Sequence, residues 1–443
     1  MKVRKQPKDP GTTGWNAILP QQNDYPELEA AQTCDTLIIG AGFAGLAAAR
    51  RIQQLDPGGK TIVVEATRVA QGPAGRNTGF MIDLPHDLAS DDYGGDQQHD
   101  LNQIKFNRSG INFASDAAEK YAMPSEAFAK SGKINAAASS RGLQQNSDYA
   151  SHLDALNESH DFLDQQEMQS LTGSNYYKGG LYTPGTAMIQ PALFVRSMAK
   201  GLSKQVLIYE NSPVIALTKQ GQSWLANTAR ARINAKTVIL TVNGHLESFG
   251  YFRRRLMHVF TYASMTRTLS TDEIRSLGGE PLWALTPADP MGTTVRRISG
   301  TGGDRIIIRN RFSYNPGMEV SDQRVANVCH NHRRAFINRF PSLKNVNMEY
   351  QWGGRLCLSR NNVPAFGELE TGLFTACCQN GLGVAKGTAS GKLAAELACG
   401  HQSELLTNML QQQKPVKLPP EPFTWIGANA VMRWGEFRAG TEL

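Results

Sequence analysis

A glycine-rich stretch near the N-terminal end carries the clearest chemical signal in this sequence. Residues 40–45 are Gly-Ala-Gly-Phe-Ala-Gly, which is the pattern G-x-G-x-x-G. Gly40 permits a tight turn, Gly42 lets the backbone approach a pyrophosphate because it has no Cβ, and Gly45 allows a helix and a strand to pack closely. The pyrophosphate would accept hydrogen bonds from the free N–H groups at the positive end of the helix. The pattern therefore predicts a dinucleotide site.

An acidic side chain stands where the sugar of such a dinucleotide would lie. Glu65 ends a predicted strand and follows Gly45 by twenty residues. A carboxylate at this place accepts hydrogen bonds from the ribose hydroxyls of adenosine and disfavours a 2′-phosphate. The motif thus argues against NADP and leaves FAD and NAD open.

The elements that would position these residues form one βαβ unit. Residues 36–39 are a short apolar run, which is typical of a buried parallel strand. Residues 43–55 have apolar side chains at helical spacing, and residues 61–65 form a second, β-branched run. Strand, helix and strand therefore follow one another around the glycine turn.

The order of strand, glycine-rich loop and helix recurs at 373–397, near the other end of the chain. We infer that distant segments assemble one nucleotide domain, with a second domain inserted between them. The predicted fold class is α/β, with a Rossmann-type dinucleotide-binding domain on a parallel sheet and an inserted α+β substrate domain on a mixed or antiparallel sheet. The predicted divisions are an N-terminal arm at 1–33, the dinucleotide-binding domain (the FAD-binding domain, if the dinucleotide is FAD) at 34–95, 186–250 and 346–400, the substrate domain at 96–185 and 251–345, and a C-terminal extension at 401–443.

The composition argues against several other classes of protein. Lysine and arginine exceed aspartate and glutamate by 46 − 39 = 7, but the charge is scattered, and the run Arg253-Arg254-Arg255 is too short for a nucleic-acid stripe. No Cys-x-x-Cys spacing or histidine cluster occurs, so no metal site is predicted. There is no run of 18 apolar residues and no apolar leader within residues 1–10. We expect a cytoplasmic protein with reduced cysteines, no membrane span and no nucleic-acid partner.

A second glycine-containing segment follows the second predicted strand. Residues 72–79 are Gly-Pro-Ala-Gly-Arg-Asn-Thr-Gly. With the first motif, this segment resembles the D-amino-acid oxidase superfamily of FAD enzymes, which includes glycine and sarcosine oxidases and the γ-glutamylputrescine oxidoreductases. The last group has G-x-S-G-R-N-x-G at this place, and Ala74 replaces its serine, which removes one hydroxyl contact to the cofactor. The resemblance implies that the dinucleotide is FAD.

The resemblance extends over most of the chain. Ser212-Pro213-Val214 resembles the strand whose valine contacts adenine, and residues 237–244 resemble the strand that closes over FAD. Trp352-Gly353-Gly354 resembles a stretch beside the isoalloxazine ring, and residues 379–383 replace a loop whose amides face the flavin pyrimidine. The FAD-binding residues that the motif and the resemblance imply are Gly40, Gly42, Phe43, Ala44, Gly45, Glu65, Ala66, Arg68, Gly75, Arg76, Asn77, Thr78, Gly79, Val214, Asn243, Gly244, Gly354, Asn380, Gly381, Leu382 and Gly383.

Five side chains are candidates for contact with the substrate. His258 and Tyr262 lie where the superfamily has a strand of its substrate sheet, and Arg309 and Tyr314 follow a predicted strand. Arg355 is one position away from an arginine that binds the substrate carboxylate in some relatives. A guanidinium suits a carboxylate because it can bond both oxygens. Each candidate also has an ordinary alternative, namely a surface arginine, a hydrogen-bonded core histidine or a packed tyrosine.

One cysteine bears on the mode of cofactor attachment. Some sarcosine-oxidase relatives bind FAD covalently through a cysteine in the region of Cys357. The spacing after Cys357 differs from theirs. Non-covalent FAD and a buried structural thiol are therefore expected.

The reaction that the resemblance implies is FAD-dependent removal of a hydride from the carbon next to nitrogen. The substrate would be a small amine or amino acid, such as a secondary amine or a γ-glutamylputrescine-like compound, and the imine formed would hydrolyse. Two alternatives stay open: oxidation of a carbon–oxygen bond, as in 2-hydroxyglutarate or glycerol-3-phosphate dehydrogenases, and a non-catalytic flavin-binding protein. The sequence leaves the electron acceptor, oxygen or a quinone, and the oligomeric state open.

Overall fold

The computed structural model describes residues 1–22, 24–85, 90 and 94–443, so part of the predicted segment 34–95 lies outside the described residues. Helices and strands are numbered in chain order. The strands are β1 Gln32–Ile39, β2 Thr61–Val64, β3 Phe80–Met81, β4 Phe128–Lys130, β5 Lys133–Ala137, β6 Asp161–Leu163, β7 Gly179–Thr183, β8 Ala187–Ile189, β9 Leu207–Tyr209, β10 Ala216–Gln220, β11 Ser223–Asn227, β12 Arg232–Leu240, β13 Met257–Thr266, β14 Trp283–Pro287, β15 Thr294–Ile298, β16 Arg305–Tyr314, β17 Met348–Leu358, β18 Ala365–Glu370 and β19 Leu373–Cys377. The α-helices are α1 Gly14–Ala17, α2 Phe43–Leu55, α3 Gln97–Lys120, α4 Ser140–Ala155, α5 Gln165–Thr172, α6 Pro191–Leu202, α7 Thr271–Leu277, α8 Asp322–Arg339, α9 Ala385–Ala398, α10 Glu404–Gln411 and α11 Phe423–Ala439.

The first sheet is mainly parallel, as predicted, and it joins segments that are distant in the chain. β1 lies at its centre between β2 and β12, and both pairings are parallel. The last residues of β12 pair in parallel with β19, and its first residues pair with the antiparallel strand β11. Ile38 and Val63 enter the same core cluster as Leu46 of α2, whereas Leu37 and Ile62 enter a second cluster. These strands are apolar throughout because both of their faces are buried.

The second sheet is mixed, which confirms the predicted fold class. Its strand order is β17-β13-β16-β15-β14-β5-β7-β6. Its pairings are antiparallel except for the parallel pair β14–β5. The helix α8 packs against β13, β16 and β17. A small third sheet has the order β3-β8-β4.

The position of β17 differs from the predicted domain layout. The sequence placed residues 346–400 in the FAD-binding domain. β17 instead pairs along its length with β13 of the second sheet. β17 still borders the space between the two sheets, because residues 354–357 line the cavity there. The domain boundaries themselves stay a prediction.

The N-terminal arm follows a defined path across the molecule. The N–H of Val3 donates to the carbonyl of Ile215 at 2.8 Å, so the first residues extend the edge of the first sheet next to β10. Farther along, the N–H of Gly353 donates to the carbonyl of Pro10 at 3.1 Å. The arm therefore connects the first sheet with β17 of the second.

The C-terminal extension contains α10 and α11. The second of these helices, α11, spans Phe423–Ala439. Within the described ranges, no helix is long and apolar enough to cross a bilayer.

Candidate active site

A cavity of about 290 Å³ lies where the two large sheets meet. One side is lined by residues at the carboxyl ends of β1 and β2 and by the start of α2. The other side is lined by residues of β13, β14, β15 and β16. In open α/β sheets, ligands bind outside the carboxyl ends of the parallel strands. The cavity therefore joins the predicted dinucleotide site to the predicted substrate sheet.

The glycine turn after β1 has the geometry that the motif predicts. Gly40 has a φ of +108°, and a Cβ on it would lie 2.8 Å from the carbonyl oxygen of Thr241. A Cβ on Gly45 would lie 1.8 Å from the carbonyl oxygen of Gly40, so α2 packs directly on the turn. Gly42 is the N-cap of α2 and borders the cavity. The first N–H groups of α2 have no partner within the helix, which suits a pyrophosphate.

The carboxylate of Glu65 lines the cavity beside this turn. Its Oε2 accepts a hydrogen bond from Ala41 N at 2.9 Å, and its Oε1 accepts one from Thr67 N at 3.1 Å. Burial raises the pKa of this carboxyl, and the two backbone donors oppose that effect. The hydroxyl of Thr67 also donates to Oε1 at 3.4 Å. Oε2 retains capacity to accept a further bond, so the carboxylate can receive a ribose hydroxyl.

The segment 72–79 is held rigidly by its own side chains. Asn77 Oδ1 accepts from the N–H of Gly79 at 2.8 Å. The guanidinium of Arg76 donates to the carbonyl oxygens of Pro10 at 2.9 Å and Gly11 at 3.0 Å, and burial lowers its pKa. The side chain of Arg76 therefore anchors the N-terminal arm, while the residue itself borders the cavity.

Most residues predicted to bind FAD line this cavity. They are Gly40, Gly42, Phe43, Ala44, Glu65, Ala66, Arg68, Arg76, Asn77, Thr78, Val214, Asn243, Gly244, Gly354, Gly381, Leu382 and Gly383.

The other predicted FAD-binding residues lie behind the cavity wall. Gly45 packs under the turn, and a Cβ on Gly75 would lie 1.8 Å from the carbonyl oxygen of Ala70. A Cβ on Gly79 would meet the buried guanidinium of Arg296. Asn380 Oδ1 accepts from the N–H of Ser359 at 2.7 Å. These four residues support the wall through packing and hydrogen bonds.

Among the described residues that line the cavity, two have a buried polar side-chain atom without a hydrogen-bond partner. These atoms are Gln379 Nε2 and Thr261 Oγ1. Gln379 Oε1 already accepts from Ser390 Oγ at 3.0 Å, which leaves the amide nitrogen as the group that needs a partner. Buried polar groups are nearly always hydrogen-bonded. Both atoms therefore point to a ligand with polar groups, and the residues present fit FAD.

Part of the N-terminal arm lines the cavity, which the sequence did not predict. Lys5, Gln6, Pro7 and Asp9 all border it. Gln6 Nε2 donates to the carbonyl of Val214 at 3.0 Å, which fixes the arm beside the proposed adenine contact. The arm has no periodic pattern, because its path is set by contacts with distant residues. No local signal in the sequence identifies these residues.

Arg309 lines the substrate side of the cavity beside Thr294, its partner on the neighbouring strand. Its guanidinium carbon lies 4.8 Å from the ring centroid of Phe312. Among the described lining residues that β13 to β16 contribute, Arg309 is the one with a formal charge.

The side chain of Tyr262 is directed mainly into the protein core. The residue borders the cavity, but its ring belongs to a buried cluster with Phe260 and Cys329. Its hydroxyl lies 2.6 Å from Ser313 Oγ. This is the arrangement of a packed tyrosine, and the partnerless hydroxyl of its neighbour Thr261 is better suited to a ligand contact.

Arg355 borders the cavity at the end that the arm covers. Its Nη2 lies 3.2 Å from Asp9 Oδ1, and its Nη1 contacts His245 Nε2. Burial lowers the pKa of Arg355 and, together with the charge of Arg355, lowers the pKa of His245 to about 2. The guanidinium of Arg355, which the sequence assigned to the substrate, is therefore bonded to Asp9 and His245.

His258 and Tyr314 do not belong to the cavity lining. His258 Nε2 lies 2.8 Å from Glu247 Oε2, behind Gly244. The hydroxyl of Tyr314 donates to Glu421 Oε1 at 2.7 Å, and burial and this carboxylate raise its pKa. The structure thus places His258 in the core, and Tyr314 contacts the C-terminal extension.

Cys357 lines the cavity and is itself buried. A hydrogen bond with Cys378 and burial raise the pKa of its thiol well above the ordinary value, so the thiolate is disfavoured.

Among the residues that the structure describes, no group of three or more His, Cys, Asp or Glu side chains could hold a metal ion.

Comparison with known protein families and sequences gives matches over most of the chain. The model of a family described as FAD dependent oxidoreductase (DAO) matches residues 35–397. A probable oxidoreductase, OrdL, of Haemophilus influenzae is 25% identical over 396 residues, which cover 87% of this chain and 87% of that protein. The γ-glutamylputrescine oxidoreductase of Escherichia coli is 24% identical over 384 residues, which cover 85% of this chain and 86% of that protein.

Solved structures share the fold at lower sequence identity. The glycine oxidase of Geobacillus kaustophilus superposes with a TM-score of 0.69 at 15% identity, covering 88% of this chain and 100% of that chain. The iminodiacetate oxidase of Chelativorans sp. BNC1 superposes with a TM-score of 0.66 at 16% identity, covering 87% of this chain and 100% of that chain. At these identities the likeness shows a shared fold.

Proposed function

The chain belongs to the DAO family of FAD-dependent oxidoreductases, and we propose that it oxidises a small amine that carries a carboxylate, at the carbon next to nitrogen. Relatives and structural neighbours are named for glycine, iminodiacetate and γ-glutamylputrescine. Each of these compounds combines an amine with a carboxylate, which supports this substrate class.

The observation that carries the proposal is the distribution of charge around the cavity. Arg309 is the charged residue that strands β13 to β16 contribute to the described lining, and Arg355 of β17, the other charged residue of the second sheet there, is paired with Asp9 and contacts His245. The carboxylates of Asp9 and Glu65 line the cavity at the arm and at the glycine turn. A guanidinium can bond both oxygens of a carboxylate. We assign Arg309 the role of holding the substrate carboxylate.

The chain's own groups are suited to hold FAD without a covalent bond. The N–H groups at the start of α2 would bind the pyrophosphate, and Glu65 would bind the ribose. Gln379 Nε2 and Thr261 Oγ1, which have no protein partner, would bond polar atoms of the cofactor. When bound, FAD supplies the isoalloxazine ring that accepts a hydride from the substrate carbon.

The remaining contribution of the protein is positioning and exclusion of water. Arg309 fixes the carboxylate, so the C–H bond next to nitrogen has a defined orientation. Phe80, Ile82, Pro287 and Leu382 give the cavity apolar walls, which limit access of water during the reaction. The product imine would hydrolyse to a carbonyl compound and an amine or ammonia.

Anaerobic bleaching of the visible flavin band tests the proposal. The purified protein would be mixed with glycine, iminodiacetate or γ-glutamylputrescine, and in parallel with glycolate and 2-hydroxyglutarate. We expect bleaching by at least one amine and by neither hydroxy acid. Bleaching by the hydroxy acids alone would establish carbon–oxygen oxidation instead. A flavin that none of a broad amine panel reduces would contradict the proposed reaction.

A further inference from the structure

Helix α11 turns a row of large apolar side chains away from the rest of the protein. Phe423, Ile426, Trp434 and Phe437 are 66%, 54%, 61% and 77% exposed. With Ala430 they follow one another at intervals of three or four residues, so they form one continuous stripe along the helix. We call these five residues the apolar stripe. Contiguous exposed apolar surface of this kind marks a place where another surface binds.

The opposite face of α11 already packs on the protein. Thr424 and Ala439 are buried near the two ends of the helix, and Gly435 lies close to the side chain of Met291. α11 packs along β16 through this face. Small residues allow that close approach, and the large apolar residues of the stripe have no room there. The outward direction of the stripe is therefore set by packing on the other side.

Both ends of α11 are fixed to the second sheet and its neighbours. At the start, Tyr314 donates to Glu421 Oε1 at 2.7 Å. Toward the end, Arg311 Nη1 lies 2.6 Å from Glu436 Oε2, and Arg339 Nη2 donates to the carbonyl of Glu442 at 2.9 Å. Because these contacts hold the helix in place, the stripe is a constant feature of the surface.

The charges around the stripe are mainly positive. Arg433 and Arg438 are exposed, and the helical repeat puts them on its two edges. Lys414 and Lys417 are exposed on the segment that leads into the helix, and Glu421 on the same segment is exposed and accepts a hydrogen bond from the hydroxyl of Tyr314. The carboxylate within α11, Glu436, is turned inward to Arg311. The surface beside the stripe therefore complements an anionic partner.

We propose that α11 docks on the surface of a membrane that contains anionic phospholipids. The apolar stripe would enter the zone between headgroups and acyl chains, and the flanking arginines and lysines would contact the phosphates. Helices that lie in a membrane interface have this combination of large apolar residues on one face and basic residues beside them. Tryptophan is favoured at that depth, and anionic headgroups attract the basic residues.

The same charges disfavour a second copy of this chain as the occupant. Two stripes packed about a two-fold axis would bring Arg433 and Arg438 of each copy to the edges of the contact. The carboxylate of α11 that could neutralise them is directed inward, toward Arg311. Like charges facing one another across an interface oppose association. Lipid phosphates satisfy the same arginines.

Vesicle binding by the whole flavin-loaded protein tests the proposal without any turnover, so the outcome does not depend on the proposed reaction. Vesicles of phosphatidylcholine would be compared with vesicles containing about one third phosphatidylglycerol. We expect co-sedimentation with the anionic vesicles, binding to neutral vesicles that is weaker by roughly tenfold or more, and weaker binding at high salt. Absence of binding to anionic vesicles, or equal binding to both kinds, would overturn the proposal.

A pair of double variants separates the stripe from general surface hydrophobicity. Trp434→Ser with Phe437→Ser removes the end of the stripe, whereas Phe162→Ser with Leu282→Ser removes apolar residues that are 58% and 59% exposed elsewhere. We expect the first pair to lose vesicle binding and the second to keep it, with the flavin spectrum unchanged in both. Light scattering that shows a dimer in the native protein and a monomer in the stripe variant would assign the stripe to a second copy and overturn the proposal.

Discussion

Asp9 Oδ1 lies 3.2 Å from Arg355 Nη2, and both side chains are almost completely buried. This ion pair joins the N-terminal arm to β17 at the wall of the cavity. The guanidinium of Arg76 adds a hydrogen bond to the carbonyl of Pro10 at 2.9 Å. Two arginines thus hold the arm over the cavity, where residues 5–7 and Asp9 contribute to its lining.

We predict that Asp9→Asn weakens the retention of FAD. Removing one charge of a buried pair leaves the other uncompensated, which destabilises a protein by roughly 3–5 kcal/mol when no other group relieves it. Because His245 also contacts Arg355, we expect a smaller loss of stability. Because the loosened arm lines the cavity, we expect the Kd for FAD to rise about tenfold. The measurement is the recovery of free-flavin fluorescence after dilution.

Lys8→Ala is the matched control for this change. Lys8 precedes Asp9 and pairs with Glu319, but these side chains are 73% and 42% exposed. Exposed pairs contribute about 0–1 kcal/mol, so retention of FAD should remain as in the native protein. If the Asp9 variant released FAD no faster than the Lys8 variant, the arm would have no part in holding the cofactor.

Gly42→Ala should separate folding from cofactor binding. The new Cβ would contact Ala74 Cβ at 3.6 Å, which the apoprotein can accommodate, but it would occupy space that the pyrophosphate needs. We expect apoprotein stability within about 1 kcal/mol of the native value and FAD affinity lower by roughly 100-fold or more. Thermal unfolding of the apoprotein and titration with FAD measure the two quantities.

Gly58→Ala provides the comparison for the Gly42 variant. A Cβ on Gly58 has no heavy atom within 4 Å, so neither apoprotein stability nor FAD affinity should change appreciably. Normal FAD affinity in the Gly42 variant would mean that the turn does not approach the pyrophosphate.

The dinucleotide half of the site could be predicted from sequence because its residues are close together in the chain. Gly40, Gly42 and Glu65 belong to one βαβ unit, where local spacing determines which groups meet. The parallel sheet could be predicted because its strands are short apolar runs, which are also a local pattern in the sequence. Fold class was therefore predicted correctly, including the mixed second sheet.

The other half of the site depends on contacts that no local pattern encodes. Asp9 reaches Arg355 because the arm crosses the molecule, and Tyr314 meets Glu421 because the C-terminal extension returns to the second sheet. Both partners lie far from the predicted candidates in sequence. Arg355 and Tyr314, which the sequence assigned to the substrate, therefore have partners within the protein instead.

Arg309→Ala should reduce activity selectively toward substrates with a carboxylate. Loss of a bidentate charged contact in the transition state lowers kcat/KM by roughly 100-fold. For an otherwise similar amine without a carboxylate, kcat/KM should change by less than about threefold, because that compound makes no contact with the guanidinium. Steady-state kinetics with the two compounds measures the difference.

Arg309→Lys refines this comparison. Lysine keeps the positive charge but cannot form the two parallel bonds of a guanidinium. We expect kcat/KM for the carboxylate substrate between the values of the native and alanine enzymes. Equal losses for both substrates in the alanine variant would show that Arg309 supports the cavity wall rather than the substrate.

The pH dependence of stability should contain a contribution from His332. This side chain is fully buried, with Nδ1 at 2.8 Å from Ser264 Oγ, and burial lowers its pKa to about 3. A histidine in the unfolded chain has a pKa of about 6.5, so the unfolded state binds the proton first as the pH falls. The contribution is present above pH ~6.5 and is lost progressively toward pH ~3.

His332→Gln removes this titration, so the free energy of unfolding should fall less steeply between pH 6.5 and 5. The expected difference in slope is at most about 1.4 kcal/mol per pH unit. Urea unfolding at several pH values measures it, and the residual slope would include the buried His245, whose pKa is also lowered. His330→Gln changes an exposed histidine on the same helix and should leave the slope unaltered. Identical slopes for the His332 variant and the native protein would show that burial does not keep this imidazole neutral, and its pairing with Ser264 would then have to hold in the charged form.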